Sequence, residues 1–321
     1  MTFEHHRADH WTHLWRSGAL HSCGHGLQDN YDAEIARFWQ QRFSTLPEGA
    51  RVVDLGTGNG PLLLMARAQR PDLELHGVDL ARIDPAASCR QDYGSIRFHP
   101  GCDMADLPFP AHSVDLFISQ YGFEYGPHPL TEQGLLDKLR TGGGIALILH
   151  ATDSTVSRNT AHQLAAAGQL ARTGLFEAAA ALSGKLLVTP AASRGRLASD
   201  PEAEQLRQRF NQAAGQALEL MQRHPDASLL GEAIDCIRHA LQMATQGDQR
   251  AIAVLTQGRE RAHSHARRLE DFQQAVLGDT QIEAIAATLR SGHLRCSVRP
   301  LQYKGQVMGR CLLAGSQAAD V

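Results

Sequence analysis

Val52-Val53-Asp54-Leu55-Gly56-Thr57-Gly58-Asn59-Gly60 is the stretch from which the rest of the chain can be read. A short apolar run that ends in glycines marks a buried strand followed by a sharp turn, and Pro61 directly after it suits the first turn of a helix. Strand, glycine turn and helix in that order make a ligand site at the carboxyl edge of a sheet. The spacing departs from the GxGxxG fingerprint of dinucleotide-binding proteins. Its third glycine comes one position early, Pro61 stands where that fingerprint wants glycine, and Asp54 fits its strand end poorly.

Outward from the loop, the same period continues. LELHGVD (73–79), SIRFHP (95–100), SVDLFIS (113–119) and GGIALILH (143–150) read as four further strands, separated by helical or turn-rich segments. Near-continuous apolar strands alternating with helices predict a parallel sheet covered on both faces. After His150 strands cease for about 140 residues. Leu206, Phe210, Ala213, Ala217 and Leu220 form one helical stripe, and Leu230, Ile234, Ile237, Leu241 and Ala244 form another. A third long helix carries Ile252, Leu255, Ala262, Ala266, Leu269, Phe272 and Val276. Asp200-Pro201 and the Thr280-Gln281-Ile282-Glu283 capping-box pattern signal helix starts, and TPAASRGRLASD (189–200) reads as a long loop. Two strands return around Lys304-Gly305 as a hairpin. Upstream, residues 1–45 read as a helical arm, with Phe3, Trp11, Leu14, Trp15, Ile35, Phe38 and Trp39 at helical spacing and a break at SGALHSCGHG (17–26). The domain boundaries expected are an arm at 1–45, an α/β domain at 46–153 and 280–321, and a helical insertion at 154–279.

The loop resembles the first signature of the class I S-adenosylmethionine-dependent methyltransferases, and later positions follow that family's order. The resemblance, which covers residues 51–150 and the final hairpin, implies an α/β, Rossmann-like seven-stranded sheet with the seventh strand antiparallel, and the large helical insertion then falls between strands five and six. It implies S-adenosyl-L-methionine as cofactor, with Asp54, Gly56, Thr57, Gly58 and Gly60 around it. Asp79, with Leu80 beside it, would take the ribose hydroxyls, since a carboxylate can accept from both. Asp103 would hold the adenine amino group, with Met104 beside the ring, and Gln120 and Tyr121 would face the methionine end.

Methyl transfer needs an aligned acceptor and excluded water more than any single catalytic group. The candidates for a catalytic role lie where acceptors approach in this family: Glu124 as base or amine holder, Tyr125 as a pocket wall or ring over a sulfonium, and His150 at the end of the fifth strand. SQYGFEY (119–125) stands where amine-methylating macromolecular enzymes of the family carry an Asn-Pro-Pro-Tyr-like motif, which favours a small-molecule acceptor, a specialised metabolite for instance. A protein or tRNA acceptor is the alternative, and a non-catalytic assembly protein on the same fold is a third.

Composition narrows the field. With 43% hydrophobic and 20% charged residues and a net charge of −3, the 321-residue chain can bury a core and is not a strongly basic nucleic-acid binder. Basic and acidic residues nearly balance in the insertion, whose aromatic residues are Phe176, Phe210 and Phe272, so it lacks the surface for stacking bases. The insertion is expected to cap the acceptor or to pair two copies in a homodimer. No run reaches the roughly 18 apolar residues of a membrane span, the first 15 residues hold no secretory-type apolar stretch, and six scattered cysteines read as reduced thiols. The expected place is the cytoplasm, without membrane or nucleic-acid partners. His6, His10 and His13 share a helix face and His21, Cys23 and His25 follow, but nothing completes a recognisable metal site, so none is expected. The arm reads instead as an aromatic lid with Trp11 and Trp15 packed inward.

Overall fold

A computed structural model describes residues 3–22, 30–89, 91–224 and 228–320. The stretch containing Cys23 and His25 lies outside them. The elements are, in chain order, α1 (Phe3–Arg16), α2 (Ala33–Ser44), β1 (Arg51–Leu55), α3 (Pro61–Gln69), β2 (Glu74–Asp79), α4 (Pro85–Ser88), β3 (Arg97–Pro100), β4 (Val114–Gln120), α5 (Leu130–Lys138) and β5 (Leu139–Leu149). Then follow α6 (Thr155–Thr173), α7 (Leu175–Val188), α8 (Pro201–Arg223), α9 (Ser228–Thr245), α10 (Ala251–Ala275), α11 (Asp279–Ser291), β6 (Cys296–Tyr303) and β7 (Gln306–Gly315).

The seven strands form one sheet in the order β3-β2-β1-β4-β5-β7-β6, parallel except for β7, which runs antiparallel to both of its neighbours. Successive strand residues point to opposite faces, and both faces are dry. Val52, Leu116, Ile118, Ala146 and Ile148 bury against Ile35, Phe38, Trp39 and Phe43 of α2 and Leu62, Leu63 and Ala66 of α3. Val53, Leu55, Phe117, Ile145, Leu147 and Leu149 bury on the other side against Leu135 of α5 and Ile282, Ile285, Ala286 and Leu289 of α11. The expected arm of residues 1–45 therefore divides. Its second half, α2, is a core layer of the sheet domain, because the Ile35, Phe38, Trp39 and Phe43 stripe is buried in it.

The chain splits into two units, Met1–Arg158 with Gln274–Val321, and Asn159–Gln273. In the second, α7, α8 and α9 pack around Leu170, Leu175, Phe176, Leu220, Leu230 and Ile237 and a set of alanines. Asp200 caps α8 as its side chain accepts from the N–H groups of Glu202 and Ala203 (2.9 and 3.3 Å). Two expectations are corrected here. The loop expected at 189–200 is largely a 3-10 helix, Ala191–Ser199. The helix start expected at Thr280–Glu283 is moved back: the Gln281 side chain accepts from the N–H of Gly278 (2.9 Å), so α11 opens at Asp279. Among the described residues no helix is long and apolar enough to cross a membrane.

Candidate active site

The glycine loop is held by its own side chains. Asp54, 2% exposed, accepts from the Thr57 hydroxyl (2.7 Å), and burial pushes its carboxyl up to about 8. Gly56 sits in the left-handed region (φ 67°), and a Cβ on it would come within 2.9 Å of the Gly122 Cα. The exits of β1 and β4 approach that closely because Ser119 donates to the Leu55 carbonyl (2.6 Å) and accepts from the Phe123 N–H (2.9 Å). Two loop amides turn toward the end of β2. The Gly58 N–H donates to Asp79 Oδ2 and the Ala81 N–H to Asp79 Oδ1, each at 2.8 Å. Burial outweighs these donors and raises the Asp79 carboxyl to about 6. Each oxygen keeps a further lone pair for a ligand.

These exits open into a cavity of about 230 Å³ at the carboxyl edge of the sheet. Of the residues expected around a cofactor, Gly56, Thr57, Asp79, Leu80, Asp103, Met104, Gln120 and Tyr121 line it. Asp54, Gly58 and Gly60 do not. Asp54 supports Thr57 from beneath, Gly60 is the left-handed residue at the start of α3, and the Trp15 ring covers Gly58, where a Cβ would meet it at 2.6 Å. Asp103 accepts from the Ala105 N–H (2.9 Å) with one oxygen.

The first half of the arm forms one wall of the cavity. Ala8, Trp11 and Trp15 of α1 line it, followed by Leu20, His21, Ser22 and Tyr31. Trp15 packs on Ala81 and Ile83, with Trp11 stacked on it at 6.1 Å and set edge-on to Tyr125 at 5.5 Å. Asn59 of the glycine loop ties the arm down by donating to the Trp15 and Ala19 carbonyls (2.9 and 2.8 Å), and the Arg82 N–H donates to Thr12 Oγ1 (2.9 Å). The inward Trp11 and Trp15 follow from helical spacing. His21, Ser22 and Tyr31 carry no sequence signal beyond lying near a glycine-rich break.

The three expected catalytic residues separate. Tyr125 lines the cavity, whereas Glu124 and His150 are buried behind it. Glu124 Oε1 accepts from the backbone N–H of His150 (2.7 Å), and its Oε2 is buried with no hydrogen-bond partner among the described residues. Burial raises the Glu124 carboxyl to about 8 and lowers the His150 imidazole to about 3, so both are neutral at pH 7. Their 4.0 Å approach is thus not an ion pair. Glu124 joins β5 to the turn after β4 and is no base facing an acceptor. His150 stacks flat on the Tyr121 ring (4.2 Å, 5°). Tyr121 itself has φ 60°, held there by its N–H to the Ile148 carbonyl (2.8 Å) and its hydroxyl to the Met308 carbonyl (3.1 Å). His128 stays outside the lining, bonded to Glu132 (2.8 Å). Among the described residues no group of three or more His, Cys, Asp or Glu is placed to hold a metal ion.

No protein-family model matches the chain, and no curated protein matches it. Solved structures do. One chain of the complex between the Haloferax volcanii Trm112 methyltransferase activator and a methyltransferase is 29% identical over 36% of this chain and 54% of its own, with a TM-score of 0.32. An S-adenosylmethionine-dependent methyltransferase structure from Methanococcus maripaludis is 18% identical over 36% of this chain and 53% of its own, with a TM-score of 0.31. The geranyl diphosphate C-methyltransferase of Streptomyces coelicolor is 18% identical over 47% of this chain and 67% of its own, with a TM-score of 0.34. The chain spans about half the length of the first two. Its own seven-stranded sheet, with that strand order, an antiparallel β7 and a glycine loop after β1, is the α/β, Rossmann-like arrangement that the resemblance implied.

Proposed function

We propose that this protein methylates a small molecule with S-adenosyl-L-methionine. The observation that carries the reading is the cavity itself, which joins the glycine loop, the Asp79 and Asp103 carboxylates and an aromatic wall at one sheet edge. The residues present fit the group. Asp79 has free lone pairs for the vicinal hydroxyls of a ribose, and Asp103 can accept from an exocyclic amine. S-adenosylmethionine supplies an electrophilic methyl group carried on a sulfonium.

The chain's own residues do the rest by position. Trp11, Trp15 and Tyr125 present ring faces and edges that suit a cation and keep water out. No lysine or arginine is among the described lining residues, so a strongly anionic acceptor would find no counter-charge there. The aromatic wall, without lysine or arginine among the described lining residues, supports a small acceptor over one held in a charged groove. Neither Glu124 nor His150 reaches the cavity, so an acceptor that must lose a proton would have to give it to another lining group, of which His21 is one.

Calorimetric titration with S-adenosylhomocysteine, with NAD as control, tests the cofactor. Micromolar binding of the first and none of the second is expected. Asp79→Ala should weaken that binding by about 1–3 kcal/mol, because it strands hydroxyl donors. Wild-type affinity should rise from pH 5 to pH 7 as the Asp79 carboxyl, raised to about 6, loses its proton and becomes a better acceptor. Equal affinity for Asp79→Ala and wild type would overturn the placement of the ribose.

A further inference from the structure

Gln120 is the last residue of β4 and lines the cavity. Its Oε1 accepts from the indole Nε1–H of Trp39 at 2.6 Å. An indole N–H can only donate, so the amide oxygen must face Trp39 and the amide NH2 must face away from it. That NH2 is buried and has no hydrogen-bond partner among the described residues. A buried donor without an acceptor is costly, and in a native site it asks for an explanation. The indole cannot turn to relieve it. Trp39 is fully buried, edge-on to Phe38 at 4.9 Å and stacked on Phe43 at 6.2 Å.

Four neighbouring backbone donors are already used. The N–H of Thr57 donates to the Val78 carbonyl (3.0 Å), that of Gly58 to Asp79 (2.8 Å), that of Gly60 to the Thr57 carbonyl (2.9 Å) and that of Tyr121 to the Ile148 carbonyl (2.8 Å). Among the described lining residues there is no lysine or arginine to meet an anionic group on a ligand in this cavity. The proposed cofactor carries one such group, the carboxylate of its amino-acid end.

We propose that Trp39 is a positioning residue: by holding the Gln120 amide oxygen, it turns the amide NH2 into the donor that receives the cofactor's carboxylate. This rests on the S-adenosylmethionine reading above. Trp39 does not line the cavity and acts only through Gln120.

The test compares two ligands by calorimetry on the full chain: S-adenosylhomocysteine, and its decarboxylated analogue 5′-deoxy-5′-(3-aminopropylthio)adenosine, which keeps the amine and loses the carboxylate. Gln120→Leu is expected to weaken the first by roughly tenfold or more and leave the second within about twofold. Gln120→Glu goes further. Trp39 holds one carboxylate oxygen, so the other stands where the NH2 stood and repels the ligand carboxylate, and S-adenosylhomocysteine is weakened more than in Gln120→Leu. Trp39→Phe, its folding checked by melting, lowers the affinity ratio of the two ligands by a smaller factor. A purely structural role would weaken both ligands together. That result, or wild-type affinity in Gln120→Leu, overturns the carboxylate contact. Equal behaviour of the Glu and Leu variants overturns the orienting role of Trp39. Failure of the wild type to bind either ligand is a different outcome, which removes the cofactor reading itself.

Discussion

The two units bury different things. The core of the sheet domain is made of Val, Ile, Leu and large aromatics on both faces of the sheet, and into it are set Asp54, Asp79, Glu124, His150, Asn59 and Ser119, all less than a tenth exposed. The core of the second unit is made of leucines, isoleucine, phenylalanine and alanines. Half of its buried positions are alanine, among them Ala166, Ala178, Ala213, Ala217 and Ala240, and small side chains let helices come close without a ligand-sized gap. Its buried polar residues are Thr160, Ser183, Ser264 and Asp271 among the described residues. Burying polar groups costs free energy unless each is hydrogen-bonded, so their concentration at one sheet edge separates a region under chemical demand from one under packing demand alone.

Glycines give the sharpest way to break this contrast. Gly58 has φ 53° and would drive a Cβ to 2.6 Å from the Trp15 ring, so Gly58→Val should destabilise the chain by about 3 kcal/mol and abolish S-adenosylhomocysteine binding. A melting curve and a titration read both effects, and a variant that still bound the ligand would sever the loop from the site.

A middle-sized effect comes from the buried carboxyl beneath the loop. Asp54 titrates near 8 in the fold and at 3.8 as an unperturbed carboxyl, so the folded state holds a proton that the unfolded state has lost between those values. The associated stability is fully present below pH 4 and is lost as pH rises toward 8 and beyond. Asp54→Asn keeps an oxygen for the Thr57 hydroxyl and removes the titration. Its stability relative to wild type should therefore grow steadily as pH rises from 4 to 8 in urea melts. A flat difference would show that burial does not hold this proton.

The smallest change belongs to the helical unit. Gly215 is an exposed position inside α8 with open space where a Cβ would go. Gly215→Ala should stabilise by about 0.5–1 kcal/mol and leave ligand affinity untouched. Destabilisation would mean that this face is engaged in something the open space does not reveal.

How far the sequence carried depended on what kind of force placed each residue. Backbone-level features were legible: the strand that ends in Gly56-Thr57-Gly58, the later apolar strands and the Lys304-Gly305 hairpin all follow from period and turn chemistry. The family resemblance singled out Asp79 and Asp103, and both line the cavity. Glu124 and His150 have equally suitable chain positions, yet a single hydrogen bond turns Glu124 back to the His150 backbone and stacking turns His150 behind Tyr121. Periodicity revealed the apolar stripe of α2 but not its partner, so Trp39 read as part of an arm when it is a wall of the sheet core. His21 and Tyr31, whose rings lie 4.4 Å apart, line the cavity from either side of a stretch of sequence that has no hydrophobic period to read.

The chain has three tryptophans, and all of them belong to this one neighbourhood. Trp11 and Trp15 line the cavity, and Trp39 holds the amide at its edge. Residues 159–273 contain none. Ultraviolet emission excited in the indole band is therefore a built-in optical reporter: whatever it registers on ligand addition originates at the sheet edge, with no indole background from the helical unit.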